Sequence, residues 1–184
     1  MSIHEALKAA TKPVHDQLER DLDLLRPELT REQYVELLKK FYGFYVSFER
    51  ALAQDLKINY PYEKKLPALK RDLTRLGVPE EHVDQLPRVE ALSLKLSEEQ
   101  WGALYVIEGS ALGGKVLEHH FKKTFGLGPE MGTAFFSGTG EKTMENWRLF
   151  LNLLGESSQV LNTDLIIRSA ENTFHQLHRW LLRS

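Results

Sequence analysis

The feature that most constrains the fold of this chain is a helical segment with glycines in its middle. The segment spans residues 101–121 and reads WGALYVIEGSALGGKVLEHHF. Ser97 and Gln100 precede it with the S-x-x-Q spacing of a capping box, and Lys122 and Gly126 follow it as a basic last turn and a terminal glycine. These signals predict one long helix in spite of its internal glycines.

The interior of this helix contains Gly109, Gly113 and Gly114. Each glycine costs a helix about 0.8–1.0 kcal/mol relative to alanine. Gly109 and Gly113 are four residues apart and share a face, with Ser110 beside them. A face without side chains admits either the backbone of another helix or a flat ligand, and the segment alone leaves both open. The Ser110 hydroxyl also has a purely structural use, as a hydrogen-bond donor to the carbonyl of Val106.

The composition excludes several classes of protein. The 184 residues are 42% hydrophobic and 27% charged with a net charge of −2, which predicts one domain over residues 1–184 and no nucleic-acid partner. The absence of cysteine excludes disulfides, thiolate metal sites and a cysteine nucleophile. No segment is apolar enough to span a membrane, and the N-terminal MSIHEALKAATK lacks the apolar core of a signal peptide. We therefore expect a cytoplasmic protein.

Helical periodicity extends along the rest of the chain, and no segment alternates with the period of two that is typical of a strand. Capping boxes at Ser2–Glu5 and Thr30–Gln33 begin the first two helices, and Pro13 should kink or restart the first near Thr11. The other predicted bounds are the end of the first helical region at Arg26-Pro27, the end of the second helix at Ala53, a short helix over 67–76, one or two turns within 79–92, a glycine-rich loop over 126–140, a helix over 142–154 ending at Gly155, and a last helix over 157–182. The sequence thus predicts an all-α fold of six or seven helices.

One histidine has neighbours that suit a metal-binding group. His15 lies on the predicted first helix, with Lys8 and Lys12 before it and Glu19 four residues after it. At these spacings the four side chains lie on or near one helix face. A carboxylate one turn away can accept the second ring N–H of a ligating histidine. An ordinary surface His–Glu pair has the same spacing, so the pattern alone leaves both interpretations open.

Two segments taken together resemble the haem oxygenase family. ALKAATKPVHDQLE at 6–19 is similar to the family's proximal helix, in which a histidine ligates the haem iron. YVIEGSALGGKVL at 105–117 is similar to its distal helix, whose glycines lie over the haem face. The order and separation of the segments also match, so the resemblance covers nearly the whole chain. It implies a single-domain haem-oxygenase-like helical bundle that cleaves haem to biliverdin, ferrous iron and carbon monoxide.

The resemblance also implies cofactors, partners and site residues. Haem would be both substrate and cofactor, O₂ the oxidant, and an external reductase or ferredoxin the electron donor. We expect a monomer without a membrane partner. Residue by residue, His15 resembles the proximal iron ligand, Glu19 the acceptor of its second ring N–H, and Lys8 and Lys12 cations near the haem propionates. The remaining haem-site residues that the resemblance implies are Tyr105, Gly109, Gly113 and Gly114 of the distal helix, Arg148 in WRLFLN at 147–152 as a propionate partner, and Phe174 as an aromatic near the haem.

One position departs from the family pattern. Many members carry an aspartate next to the first distal glycine, where it holds a water network, and here that position is Ser110. The sequence is more similar to the bacterial biliverdin-forming branch, in which proton delivery would use water, Ser110 or backbone groups. A haem carrier or sensor without turnover remains an alternative. Other relatives of this bundle fit less well, since thiaminase-type members use a catalytic cysteine and di-metal members need carboxylate–histidine clusters.

Overall fold

The structure is a computed structural model that describes residues 2–90 and 92–183. Within these ranges every regular element is helical, which confirms the predicted all-α fold. The α-helices are α1 (Ile3–Leu22), α2 (Arg31–Gln54), α3 (Leu66–Arg75), α4 (Glu80–Val83), α5 (Ser97–Phe125), α6 (Ala134–Ser137), α7 (Thr143–Ser157) and α8 (Thr163–Leu181). Short 3-10 helices over Pro129–Met131 and Gly140–Lys142 flank α6. None of the described helices combines the length and the apolar character that crossing a membrane requires.

The first two helices begin at the capping boxes predicted from the sequence. The backbone N–H of Glu5 donates to Ser2 Oγ at 3.2 Å, and the Ser2 N–H donates to Glu5 Oε2 at 2.7 Å. Thr30 and Gln33 make the same reciprocal pair at the start of α2. The predicted restart near Pro13 is wrong, because α1 is continuous. Pro13 is exposed, so its ring sits on the solvent side while the opposite face of α1 stays packed.

The long glycine-bearing helix forms, but its predicted cap is wrong. α5 begins at Ser97 with Leu96 at the N-cap, and the Glu99 carboxylate accepts the N–H of Leu96 at 3.0 Å. Gln100 is buried, and its side-chain oxygen accepts the N–H of Lys57 at 2.9 Å instead of closing a capping box. The polar end of Gln100 thus ties α5 to the segment that follows α2.

Three later boundaries also differ from the sequence prediction. The segment 126–140 is not a simple loop, because Asp72 of α3 accepts the N–H groups of Ala134 and Phe135 at 2.9 and 2.8 Å and so caps α6 from a distance. α7 continues through Gly155 to Ser157 rather than ending there. α8 begins at Thr163 rather than near 157, because the Asn162 side chain accepts the first free N–H groups.

Helix α8 supports both α5 and α1, with its most extensive contacts to α5. α5 and α8 pack closely at Gly102, where a Cβ would lie 2.2 Å from the carbonyl oxygen of Ile166. The Ser169 hydroxyl of α8 donates to the Glu99 carbonyl at 2.7 Å beside this crossing. Close helix packing, one of the two explanations for small residues in α5, therefore applies at Gly102.

Candidate functional site

Helices α1 and α5 meet at the side chain of Tyr105. The ring is buried beside the Thr11 hydroxyl of α1. Its centroid lies 6.2 Å from that of His4 and 5.6 Å from the nearer ring of Trp147 on α7. Burial raises the pKa of Tyr105, so the phenol stays neutral. Tyr105 thus marks the junction from which α1 and α5 continue towards the site residues predicted from the sequence.

His15 lies one helical turn beyond Thr11, and its ring nitrogens make no hydrogen bond within the described part of the chain. The side chain is 48% exposed. Nε2 is 3.7 Å from Glu19 Oε1, and Nδ1 is 3.9 Å from Asp16 Oδ1, distances too long for hydrogen bonds. The edge of the ring meets Phe174 of α8 at a centroid distance of 5.7 Å and an interplanar angle of 87°. A ring nitrogen is therefore available to a ligand while Phe174 supports the ring.

The charged neighbours of His15 differ in part from the sequence prediction. His15, Asp16 and Glu19 can each offer a ligand atom within 4.8 Å of the others. Lys12 makes an ion pair with Asp16 at 2.6 Å, and this hydrogen bond lowers the pKa of Asp16. Lys8 is exposed on the same helix. Sequence reasoning missed Asp16, although its spacing of four residues from Lys12 was the signal that could have found it.

The three predicted distal glycines face different surroundings. A Cβ at Gly113 would meet no atom within 4 Å, and a Cβ at Gly109 would make an ordinary contact of 3.6 Å with Trp147. At Gly114 a Cβ would lie 2.2 Å from the carbonyl oxygen of Phe136. The open face of α5 is therefore at Gly113 and borders Trp147 at Gly109. The Cβ side of Gly114 is filled by α6, so Gly114 serves helix packing on that side.

The Ser110 hydroxyl is already engaged by the backbone. It donates to the Ile107 carbonyl at 2.7 Å, so the expected bond to Val106 is wrong by one residue. The Tyr45 phenol of α2 also adjoins this hydroxyl and is itself buried. Ser110 is exposed, so it lies between solvent and the buried side chains of α2.

Helix α7 brings aromatic and basic side chains to the junction. Trp147 stacks on Phe150 at 5.5 Å with an interplanar angle of 15°. Arg148, the predicted propionate partner, is exposed one residue after Trp147. Trp147 borders Gly109 of α5, and Arg148 follows Trp147 in α7.

Two buried acids lie close to the distal glycines, and sequence reasoning missed both. Glu108 of α5 and Glu49 of α2 are 7% and 6% exposed. One oxygen of each, Glu108 Oε1 and Glu49 Oε2, is buried without a hydrogen-bond partner. Burial raises the pKa of both carboxyls. The signal for Glu108 was an acidic residue inside the apolar run of α5, whereas Glu49 had no distinct signal.

A cavity of about 590 Å³ adjoins Glu108. Its polar lining includes Tyr60, Glu63, Lys65, Lys142 and Asn146. The Glu108 carboxyl and the Tyr60 hydroxyl influence each other, because the charge of Glu108 adds to burial in raising the pKa of Tyr60. The cavity therefore brings the buried Glu108 carboxyl together with the charged side chains of Glu63, Lys65 and Lys142.

The fold and the site define an all-helical protein that has an accessible histidine on α1 and, on α5, a face without side chains at Gly113. The chain belongs to the haem oxygenase family, since the family model described as "Heme oxygenase" matches residues 1–183. It is thus a member of a family of enzymes.

Individual relatives agree with this assignment. A curated haem oxygenase of Xanthomonas campestris pv. campestris (strain 8004) is 34% identical over 96 residues, which are 50% of this chain and 54% of the relative. The match therefore spans about half the length of that relative. The NO- and CO-bound haem oxygenase of Neisseria meningitidis has a TM-score of 0.77 at 22% identity, covering 98% of this chain and 90% of that one. The haem oxygenase of Leptospira interrogans has a TM-score of 0.78 at 18% identity, covering 98% of both chains. At these identities the structural likeness shows a shared fold.

Proposed function

We propose that this protein cleaves haem to biliverdin, ferrous iron and carbon monoxide, using O₂ and electrons from an external reductase or ferredoxin. The proposal rests on two features, one on α1 and one on α5. His15 on α1 has ring nitrogens without hydrogen-bond partners, and α5 has open space at Gly113. Membership of the haem oxygenase family supports the same reaction.

The residues at the junction fit a haem. A free imidazole nitrogen suits iron, and the bare backbone at Gly113 admits a flat ring. Phe174 and Tyr105 add buried aromatic surface. Lys8 and Arg148 are exposed cations of the kind that bind carboxylates such as propionates. When bound, haem would supply the chemistry of the cleavage. Its iron would activate O₂, and its ring would be the substrate that is opened.

On the proximal side, the residues of α1 would hold and orient the ligand. His15 would bind the iron through one ring nitrogen. Its other nitrogen has Glu19 and Asp16 as nearby acceptors, and a small ring movement would bring one of them within hydrogen-bond distance. Lys12 would act through Asp16, because their ion pair keeps that carboxylate ionised beside the ring. This differs from the direct propionate contact expected for Lys12.

On the distal side, the glycines of α5 would place no large polar side chain against the reacting face of the haem. Gly113 leaves space, and Trp147 closes the face at Gly109. Ser110 offers only a hydroxyl, which is donated to the Ile107 carbonyl. This observation favours a second candidate, a haem carrier or sensor of the same fold without turnover.

An aerobic titration with haemin followed by ascorbate or a ferredoxin system tests the proposal. We expect a Soret band that grows with haemin, decays after reduction and is replaced by biliverdin identified by chromatography. Stable haem binding without pigment formation would favour the carrier. Failure to bind haem would contradict both candidates.

The His15→Ala variant tests the ligand assignment, with His175→Ala as its matched control. His175 is an exposed histidine of α8 next to Phe174. We expect His15→Ala to lose the spectrum of histidine-ligated haem and its turnover, and added imidazole to restore both in part. His175→Ala should behave like the parent protein. A His15→Ala protein with the parent spectrum would require another iron ligand.

A further inference from the structure

We propose that Glu108 supplies protons to the distal side of the haem site, acting through water in the adjoining cavity rather than by contact with haem. This inference rests on the proposed function. It gives a role to a carboxyl that the family resemblance does not single out, in a chain that has serine at the position where many relatives have a distal aspartate.

The first observation is the state of the Glu108 carboxyl. The side chain is more than nine-tenths buried, and its Oε1 atom has no hydrogen-bond partner among the described residues. Buried polar atoms in native proteins are almost always paired with protein groups or ordered water. The cavity beside Glu108 has room for water and polar partners, since it measures about 590 Å³ and is lined by Asn146 and Thr139.

The second observation is where this cavity lies. α5 contributes Glu108 to the cavity and the next residue, Gly109, to the contact with α7. α7 contributes Asn146 to the cavity and the next residue, Trp147, to the same contact. The cavity and the distal glycine face are therefore built by consecutive residues of the same two helices.

The third observation is the set of charged and titratable groups around Glu108. Lys65 and the Tyr60 hydroxyl lower the pKa of Glu108, whereas Glu63 and, above all, burial raise it. The result is a raised pKa, so this carboxyl keeps its proton at a pH where an exposed glutamate has lost it. The other titratable groups near it are the phenols of Tyr45 and Tyr62, whose pKa values Glu108 helps to raise, and Lys142 at the cavity rim.

The second buried acid has a different function. Glu49 Oε1 accepts hydrogen bonds from the Tyr62 hydroxyl at 3.1 Å and from the N–H groups of Lys65 and Leu66 at 2.6 and 3.3 Å. These bonds fix the segment before α3. Glu49 therefore holds Tyr62 and Lys65 in place around Glu108, and it does not line the cavity.

The proposed step is a proton transfer with no change in oxidation state. The Glu108 carboxyl gives its proton to a cavity water, and the excess proton passes along water towards the distal face. The Glu108 carboxylate then regains a proton from solvent through the cavity, whose lining includes Lys65 and Lys142. The net result is the movement of one proton from solvent to the distal face, and only O–H bonds are broken and formed. Ser110, two residues along α5, is exposed.

The first test needs no haem and asks whether Glu108 holds a proton. Infrared spectra of the haem-free parent protein, titrated in pH, should show the C=O stretch of a protonated carboxyl that persists above the ordinary glutamate range. Because burial also raises the pKa values of Glu49 and Asp72, Glu108→Gln should remove only part of this absorption. Glu118→Gln, which removes a glutamate from the same helix away from the cavity, should leave it unchanged. A band unaffected by Glu108→Gln would overturn the proposal.

The second test asks whether that proton is used. Positioned general acids contribute about 10²–10⁴-fold to rate, and water can replace part of this, so we expect Glu108→Gln to slow biliverdin formation by about ten- to a hundredfold. The loss should grow as pH rises, because solvent supplies fewer protons. Glu108→Asp should recover part of the rate, and haem affinity should be unchanged in both variants.

The outcomes separate this inference from the proposed function. If the parent forms no biliverdin, the proposed function fails whatever the infrared result. If the parent is active and Glu108→Gln keeps its rate and pH profile, Glu108 is only a buried structural acid. Thermal unfolding of each variant identifies loss of fold, and in that case Tyr60→Phe, which removes only a hydroxyl that lowers the Glu108 pKa, should let activity persist to higher pH than in the parent. A Tyr60→Phe protein with the parent profile would then overturn the proposal.

Discussion

The imidazole Nε2 of His178 on α8 lies 2.7 Å from Oδ2 of Asp21 on α1. The Asp21 carboxylate also accepts hydrogen bonds from Gln17 at 2.8 and 2.9 Å. The Gln17 and His178 contacts lower the pKa of Asp21. This pair links the last turn of α1, the helix of His15, to the helix that supports α5.

Breaking this link should loosen the end of α1. In Asp21→Asn we expect faster amide hydrogen exchange over residues 15–22 and weaker haem binding, with little change in global unfolding. Because the Asp21 pKa is lowered by folding, the link is present above the ordinary aspartate pKa and is lost as pH falls through the folded value. Asp23→Asn is the matched control, since Asp23 has a φ of 39° that asparagine tolerates. Equal exchange in the two variants would contradict the assigned role.

Gly113→Leu should stabilise the haem-free protein and weaken haem binding. A side chain at Gly113 meets no atom within 4 Å, and replacing a helix-interior glycine gains up to about 1 kcal/mol. Gly155 of α7 is the matched control, because it is also inside a helix with open space around it. Thermal unfolding and haemin titration should show stabilisation of both variants and a binding defect only in Gly113→Leu. Normal haem binding by Gly113→Leu would mean that the open face is not the haem surface.

Gly114→Ala should have the opposite effect on stability. Its Cβ would lie 2.2 Å from the Phe136 carbonyl oxygen, so α5 and α6 must move apart. Overpacking of this kind typically costs about 1–3 kcal/mol, more than the gain in helix propensity. Urea unfolding of Gly114→Ala, compared with Gly113→Ala, measures the effect. Stabilisation by Gly114→Ala would show that α6 can move away from α5 at little cost.

Asp72 should make stability fall as pH rises through the weakly acidic range. Burial raises its pKa to about 6 from an ordinary value of 3.8. Between these values the unfolded chain loses a proton that the folded chain keeps, so the contribution of Asp72 is greatest below about pH 4 and is lost towards pH 6. The shift corresponds to roughly 3 kcal/mol. Urea unfolding from pH 4 to 7 should show this slope in the parent and not in Asp72→Asn, and the same slope in both would contradict the assignment.

The cations near the junction should influence the orientation of haem in its site more than they influence the affinity for haem. Exposed ion pairs contribute only about 0.2–1 kcal/mol each, yet 1.4 kcal/mol changes a population ratio tenfold. Replacing Lys8 by alanine, or Arg148 by leucine, should therefore change the ratio of biliverdin isomers with little loss of haem affinity. Lys123→Ala, at the far end of α5, is the control. Chromatography of the products decides, and an unchanged ratio would indicate that apolar shape fixes the seating.

Local signals in the sequence predicted much of the fold. The boxes at Ser2–Glu5 and Thr30–Gln33 act within a few residues, and both form as expected. Boundaries set by distant partners could not be predicted in this way. Asp72 caps α6 across 62 residues of sequence, and Gln100 bonds to Lys57 rather than to its own helix end.

The same division applies to the candidate site. The spacing around His15 and the glycines of α5 could be found because each lies within one helix. The side chains and backbone that surround them belong to other helices and could not be predicted from local spacing. They are Trp147 beside Gly109, Phe136 beside Gly114 and Phe174 beside His15. The roles of these residues in haem binding remain predictions. Glu108 was missed because its neighbours Tyr60 and Lys65 belong to a segment more than 40 residues away.

The close crossing at Gly102 has a kinetic consequence. Backbone contact there fixes α5 on α8, whereas the last turn of α1 is linked to α8 by an accessible His–Asp pair. α5 is thus held to α8 by backbone contact, whereas the last turn of α1 is held by a pair of side chains. We expect departure of the bulky open-chain product to depend on movement of α1, so variants at Asp21 should change the turnover number through product release, while variants of the Gly102 crossing should change folding.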